Sequence, residues 1–291
     1  MRSYPADYQL VTLGSLPAVL RLLSDERGQW TPLSGGTEIM VQYGAGRLAA
    51  RKLVSIWNLP ELRQITETDA TMSIGGGCTF AQIRNHAGIR QNFPMLAQCA
   101  SWTGSIANQN RGTLGGNLAN ASPAADSPPA LLAYDAEIEL ISVHGQRRIP
   151  YDQFHLGYKK TALAPDELIY ALHLPKKFSA ALTYVRKVGT RNAQAISKIC
   201  VAATAHRVEG VIGNLRIGMG SVSPVPMRLR TVEYIVNGPA MDASTIAAAR
   251  NAVLEEIAPI DDIRSTAAYR RLVAANLIEE MLHTFAGEAR P

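Results

Sequence analysis

Two stretches of the 291-residue chain combine residue types that bind rather than merely pack. In Leu33-Ser34-Gly35-Gly36-Thr37-Glu38-Ile39 a strand-like run ends, two residues without a Cβ follow, and a helical pattern begins. Glycines let a ligand come close to main-chain N–H groups, and a helix start adds unpaired donors and a partial positive charge. The natural guest is an anion, phosphate above all. The second stretch, Arg111-Gly112-Thr113-Leu114-Gly115-Gly116-Asn117-Leu118-Ala119-Asn120, repeats this recipe with hydroxyl and amide side chains added, and Ala121-Ser122-Pro123-Ala124-Ala125-Asp126 follows it. Two nests of donors can grip the two phosphates of a dinucleotide. An acidic residue such as Asp126 would then accept hydrogen bonds from sugar or ribityl hydroxyls.

Any tight turn uses glycine, so one Gly-Gly pair alone decides nothing. Neither loop spells the G-x-G-x-x-G fingerprint or the P-loop ending in Gly-Lys-Ser/Thr, which sets aside a Rossmann nicotinamide site and a nucleoside triphosphatase. The histidines, His86, His144, His155, His173, His206 and His283, show no metal spacing, and no Gly-x-Ser-x-Gly elbow is present. Three scattered cysteines, Cys78, Cys99 and Cys200, make neither a disulfide framework nor a four-cysteine iron–sulfur or zinc site within this chain, and each is expected to be a buried small hydrophobe. No catalytic side chain and no metal ligand are therefore expected. The hard chemistry falls to a cofactor.

The elements that must hold these loops fall into three blocks. Ser15 to Leu23 reads as a serine-capped helix with an early proline, Trp30 to Leu33 as a strand, Glu38 to Tyr43 as a helix, and Lys52 to Ile56 as a β-branched strand, together a small β-α-β unit. From about Asn58 to Leu174, short strands at Met72 to Ile74, Glu137 to Ile141 and Leu168 to Leu174 surround a Gly/Asn/Ala/Ser/Pro-rich segment, Ser101 to Pro129, expected to be a long functional loop. On the last strand Leu168, Tyr170, Leu172 and Leu174 are expected on one face. After Pro175, strands at Leu182 to Val188 and Leu215 to Met219 precede helices at Arg228 to Val236, Ile246 to Ile257 and Ala267 to Phe285, which suggests an α+β domain starting near residue 176.

Composition supports a globular, soluble, cytoplasmic reading. Hydrophobic residues make up 47% and charged residues 18% of the chain. No run approaches the roughly 20 apolar residues of a membrane span, and the first residues lack the apolar stretch of a secretory leader. The net charge of +5 is spread over pairs such as Arg51-Lys52 and Lys176-Lys177, so no nucleic-acid surface is expected.

In order along the chain, Leu33-Ser34-Gly35-Gly36-Thr37-Glu38, Ile74-Gly75-Gly76-Gly77-Cys78-Thr79-Phe80, Asn110-Arg111-Gly112-Thr113-Leu114-Gly115-Gly116-Asn117 and Ala121-Ser122-Pro123-Ala124-Ala125-Asp126 resemble the FAD-binding medium subunit of molybdenum hydroxylases, the xanthine dehydrogenase and carbon monoxide dehydrogenase family. The resemblance implies an α+β fold: an FAD-binding domain of the vanillyl-alcohol-oxidase (PCMH) type over residues 1–175, in subdomains of about 1–57 and 58–175, followed by a smaller C-terminal α+β domain over 176–291. FAD would lie extended between the subdomains. Leu33, Ser34, Gly35, Gly36, Thr37, Glu38 and Ile39, with Gly112, Thr113, Leu114, Gly115, Gly116 and Asn117, would cradle the pyrophosphate and adjoining groups. Asn120 and Asp126 would touch the cofactor's polar chain, Ile169 would be an apolar neighbour, and Lys187 would place a cation near the flavin, where it stabilises the reduced, anionic form. The aromatic residue that covers the flavin in eukaryotic relatives falls at Thr103, and the family's Ile-Arg-Asn is Asn108-Gln109-Asn110 here.

By the same likeness the chain is an electron-transfer subunit. A large partner would carry the molybdenum cofactor and a small partner two 2Fe–2S clusters, the assembly would be a dimer of heterotrimers, and electrons would leave FAD for NAD, a quinone or another acceptor. A stand-alone flavoprotein oxidase or reductase and a flavinless assembly scaffold are the alternatives.

Overall fold

The computed structural model describes residues 4–208 and 211–287; residues 1–3, which open the segment read above for a leader, lie outside it. Strand β1 (Gln9–Thr12), helix α1 (Leu16–Asp25), strand β2 (Trp30–Leu33), helix α2 (Ile39–Gly44) and strand β3 (Lys52–Ser55) form a parallel sheet of order β1-β3-β2. Parallel neighbours need crossovers, and α1 and α2 supply them. Helix α1 starts where its sequence says, with Ser15 Oγ accepting from Ala18 N at 3.4 Å. Its face of Leu16, Val19, Leu20 and Leu23 packs with Trp30 and Val54. Ligands of such sheets sit beyond the carboxyl ends of the strands, and β2 ends at Leu33, where the first glycine loop begins.

The middle of the chain builds an antiparallel sheet from β4 (Ile65–Glu67), β5 (Thr71–Gly75), β6 (Glu137–Ser142), β7 (Gly145–Pro150) and β10 (Leu168–Pro175), in the order β4-β5-β10-β6-β7. A separate hairpin, β8 (His155–Gly157) with β9 (Lys160–Thr161), precedes β10. Between β5 and β6 run α3 (Phe80–Asn85), α4 (Ala87–Asn92), α5 (Pro94–Trp102), α6 (Ile106–Arg111), α7 (Leu114–Ala119) and α8 (Ser127–Ala133). The segment expected as a long loop is thus broken into three short helices. Its serine and threonine residues act as caps: Ser105 Oγ accepts from Asn108 N and Thr113 Oγ1 from Gly116 N, each at 3.2 Å.

Strand β10 corrects a second expectation. A bulge between Ile169 and Ala171 shifts its register against β6, and one extra residue exchanges the faces of a strand. Leu168 and Tyr170 therefore pack with the N-terminal sheet and α1, whereas Leu172 and Leu174 join the central core with Ile74, Leu114 and Leu140.

The last block is an antiparallel sheet of β11 (Leu182–Val188), β12 (Ile199–Val208), β13 (Val211–Gly220) and β14 (Met227–Arg228), followed by α9 (Arg230–Val236), α10 (Ala243–Glu256) and α11 (Ala267–Ala286). Strand β12 was missed in the sequence because it is buried on both faces. Ile199, Val201, Ala203 and Ala205 meet the C-terminal helices, while Ala202 joins the central core and Thr204 Oγ1 donates to Ala133 O of α8 at 3.1 Å. A strand buried twice carries no polar alternation to read. No helix among the described residues is long and apolar enough to cross a membrane.

Candidate functional site

The two glycine loops meet. Thr113 Oγ1 donates to Ser34 Oγ at 3.1 Å, and Gly35 lies so close to the second loop that a Cβ there would stand 1.7 Å from Arg111 O. A third loop, Gly75 to Thr79, braces the second from behind: Gly115 N donates to Gly76 O at 2.8 Å and Leu114 N to Cys78 O at 3.0 Å. Ile169 closes the stack, since a Cβ on Gly76 would meet Ile169 O at 2.3 Å. Several of these glycines thus exist to let backbone meet backbone.

The donors of the two loops differ. Among the described residues the backbone N–H groups from Ser34 to Ile39 engage no acceptor within the chain, so the first loop presents a run of unspent donors. In the second loop Gly112 N goes to Asn108 O, Gly115 N to Gly76 O, Gly116 N to Thr113 Oγ1 and Asn117 N to Thr113 O. Its donors are largely committed to the fold, and the picture of two equivalent nests changes accordingly. What the second loop leaves open is different: Gly116 is exposed, with only Thr113 Oγ1 near its missing Cβ, and Asn117 Oδ1 is buried without a partner. An orphaned buried acceptor costs free energy until a donor reaches it. A dinucleotide carries both complements, phosphate oxygens for the first loop and hydroxyl or ring N–H groups for Asn117, so these residues fit FAD.

Beyond the loops, Asp126 and Lys187 form one unit. Lys187 Nζ donates to Asp126 Oδ2 at 2.8 Å and to Trp102 O at 3.3 Å, with its side chain only 2% exposed. Ser197 Oγ donates to the other oxygen, Asp126 Oδ1, at 2.5 Å. Burial pushes the Asp126 carboxyl above its usual range, while Lys187 and Ser197 pull against that push. The sequence treated the acid and the lysine as separate contacts; here each neutralises the other. Thr103 follows Trp102 and donates from Oγ1 to Cys99 O at 3.0 Å. Cys99 and Cys200 are buried in contact beneath this pair, and that contact together with burial holds the Cys200 thiol well above its ordinary range. Cys78 is likewise buried, its thiol pushed up to about 11 by burial.

Asn120 caps the end of α7 and is held by a residue the sequence did not single out: Lys159 Nζ donates to both Asn120 O and Asn120 Oδ1 at 2.8 Å. Burial lowers the pKa of this ammonium, and the charge of Glu38, at the end of the first loop, pulls against that shift. Trp57, just past β3, carries the guanidinium carbons of Arg111 and Arg63 at 3.9 and 4.3 Å from its ring centroid, a stack invisible to spacing because its members lie on separate elements. At the departure from the family pattern, Gln109 is buried and accepts from Arg84 Nη1 at 2.6 Å, so a guanidinium reaches this point from α3 instead. Ser197 and Lys159 gave no sequence signal; only the packing of β11–β12 and of the β8–β9 hairpin brings them here.

Residues 6–177 match the family described as the FAD binding domain in molybdopterin dehydrogenase, and residues 184–285 match the CO dehydrogenase flavoprotein C-terminal domain. A xanthine dehydrogenase FAD-binding subunit from Escherichia coli is 31% identical over 277 residues, covering 94% of this chain and 93% of that one. The 6-hydroxypseudooxynicotine dehydrogenase complex subunit alpha of Paenarthrobacter nicotinovorans is 27% identical, over 99% of this chain and 97% of its own length. Among solved structures, a carbon monoxide dehydrogenase from Hydrogenophaga pseudoflava superposes with a TM-score of 0.91 at 24% identity, over 95% of this chain and 96% of that one. That likeness shows the fold.

Proposed function

This chain belongs to the family of FAD-binding domains of molybdopterin dehydrogenases, and is an FAD subunit within the oxidoreductases of the molybdenum hydroxylase family; from that premise we propose that it is the electron-transfer station of a multi-subunit hydroxylase. FAD, when bound, supplies the ability to take up and release electrons. In this reading the electrons come from 2Fe–2S clusters of a small partner subunit, the molybdenum cofactor lies in a large partner, and NAD, a quinone or another acceptor takes the electrons onward, with the assembly a dimer of heterotrimers in the cytoplasm. The domain division is 1–175 and 176–291.

The observation that carries this reading is the unspent run of N–H groups from Ser34 to Ile39 at the carboxyl end of β2. Those amides hold the pyrophosphate, with Leu33 as the strand end that aims them. Gly116 leaves room for the cofactor, Asn117 Oδ1 accepts from it, Ile169 supplies an apolar wall, and Thr103 leaves one flavin face less covered than an aromatic would. The Asp126–Lys187 pair keeps a carboxylate and an ammonium fixed beside the cofactor's polar side while adding no net charge. No acid, base or nucleophile of this chain enters the chemistry.

Isolation of the native complex through a tag on this chain, with metal and flavin analysis, tests the proposal. Molybdenum, iron and FAD should co-purify. A flavin-loaded chain that isolates alone and turns substrate over by itself would contradict it.

A further inference from the structure

Among the described residues the β8–β9 hairpin pairs with no other strand, its two strands pairing with each other. A lone two-stranded hairpin is marginal in water, so something must hold it at both ends. Its base is held: Tyr151 and Phe154 are buried, Tyr151 Oη and His155 Nε2 share a hydrogen bond of 2.9 Å, and Ala162 N donates to Phe154 O at 2.8 Å. Its tip is Tyr158-Lys159, with Leu156 and Tyr158 largely exposed. Lys159 adopts φ +57°, a left-handed conformation that is strained for a residue with a Cβ. That conformation aims the ammonium at Asn120, where two of its three hydrogens are spent. The charge of Glu38, in the first loop, favours its protonated form while burial opposes it.

Lys159 therefore ties the hairpin to the end of the helix that starts in the second loop, where the charge of Glu38 from the first loop also acts on it. We propose that Lys159 is a further binding residue of the dinucleotide cleft: held on Asn120 at the end of α7, it fastens the hairpin beside the cleft and adds a cation that retains the cofactor's anionic part. This rests on the reading of the cleft as an FAD site. The chemistry recognised is that of a dinucleotide pyrophosphate, whose charge the first loop meets with no cationic side chain.

The test uses the full chain loaded with FAD, diluted so that release is followed by the return of flavin fluorescence. A hydrogen bond to a charged group contributes about 1.5–3 kcal/mol, so Lys159→Met should release FAD at least about tenfold faster, and Lys159→Arg should restore slow release. Lys159→Gly relieves the left-handed strain while removing the cation, and should release as fast as Lys159→Met although its flavin-free form melts no lower than the parent chain. Release from Lys159→Met and Lys159→Gly at the parent rate, with the parent chain loaded, overturns the role of Lys159 alone. A folded parent chain that takes up no FAD overturns the reading of the cleft and this role together.

Discussion

Ser34–Ile39 and Gly112–Asn117 are built from the same kinds of residue, glycines in pairs beside a threonine, yet the first keeps its backbone donors free and the second spends them. The difference follows from what stands behind each loop. The first leaves the end of a parallel strand and turns into α2 with no acceptor among the described residues bonded to its amides. The second is pressed between the first loop and Gly75 to Thr79, and its amides pair with Gly76 O and with its own Thr113. Glycine in a binding loop thus has two separable uses, exposing amides to a ligand and letting chain pack on chain.

The comparison can be broken by mutation, and the largest effect lies at the buried Asp126–Lys187 pair that follows the second loop along the chain. Removing one partner of a buried ion pair costs about 3–5 kcal/mol, so Lys187→Met should lower stability in denaturant titrations by that order, with Asp126→Asn in the same background recovering part of it. Next comes Gly35→Ala. Its Cβ would stand 1.7 Å from Arg111 O, and because backbone cannot swing away, the loss should reach the upper end of the about 1–3 kcal/mol that overpacking costs. A stable Gly35→Ala chain would show that the loops do not touch as described.

Acid should separate the hairpin that leans on the second loop from the first loop. Burial lowers His155 from its ordinary 6.5 to about 4, so the unfolded chain takes up this proton first. Stability from this group is complete above pH 6.5, declines as the pH falls toward 4, and levels off below that. The decline should amount to about 2 kcal/mol, less than the full shift because the ring is partly solvated, and His155→Phe should flatten it in melts taken across this range.

Smaller effects sharpen the contrast. Thr113→Ala removes the cap of α7 and the contact with Ser34, and should cost about 1 kcal/mol of stability. Gly116→Ala should leave stability within about 1 kcal/mol, since helix propensity favours alanine and only Thr113 Oγ1 must shift. Its larger consequence should be weaker FAD binding by equilibrium titration, because Gly116 faces outward and not into the stack of loops.

Much of the fold was legible because its signals are local. Ser15 caps α1, Leu33 ends β2 before Gly35-Gly36, and Pro175 closes β10. The misreadings share a non-local cause. The bulge after Ile169 sends Leu168 and Leu172 to different cores, and β12 loses its alternation because helices cover one face and α8 the other. At the site, the loop motifs singled out in the sequence do meet in the fold, but which amides stay free depends on Gly76, about forty positions away from Gly115, and no spacing rule encodes that. The pairing of Lys187 with Asp126 was hidden for the same reason, although each was singled out separately.

The central claim is that the free amides of Ser34 to Ile39 make this chain a flavin carrier. The most direct measurement is titration of the flavin-free, folded chain with FAD, followed by the change in flavin fluorescence, on the parent and on Gly36→Ala, whose substitution strains the φ +78° turn of the first loop without meeting backbone. The account predicts saturable, stoichiometric binding by the parent and markedly weaker binding by Gly36→Ala at unchanged secondary structure by circular dichroism. A parent chain that stays folded and binds no FAD, or a Gly36→Ala chain that binds as tightly as the parent, would contradict it.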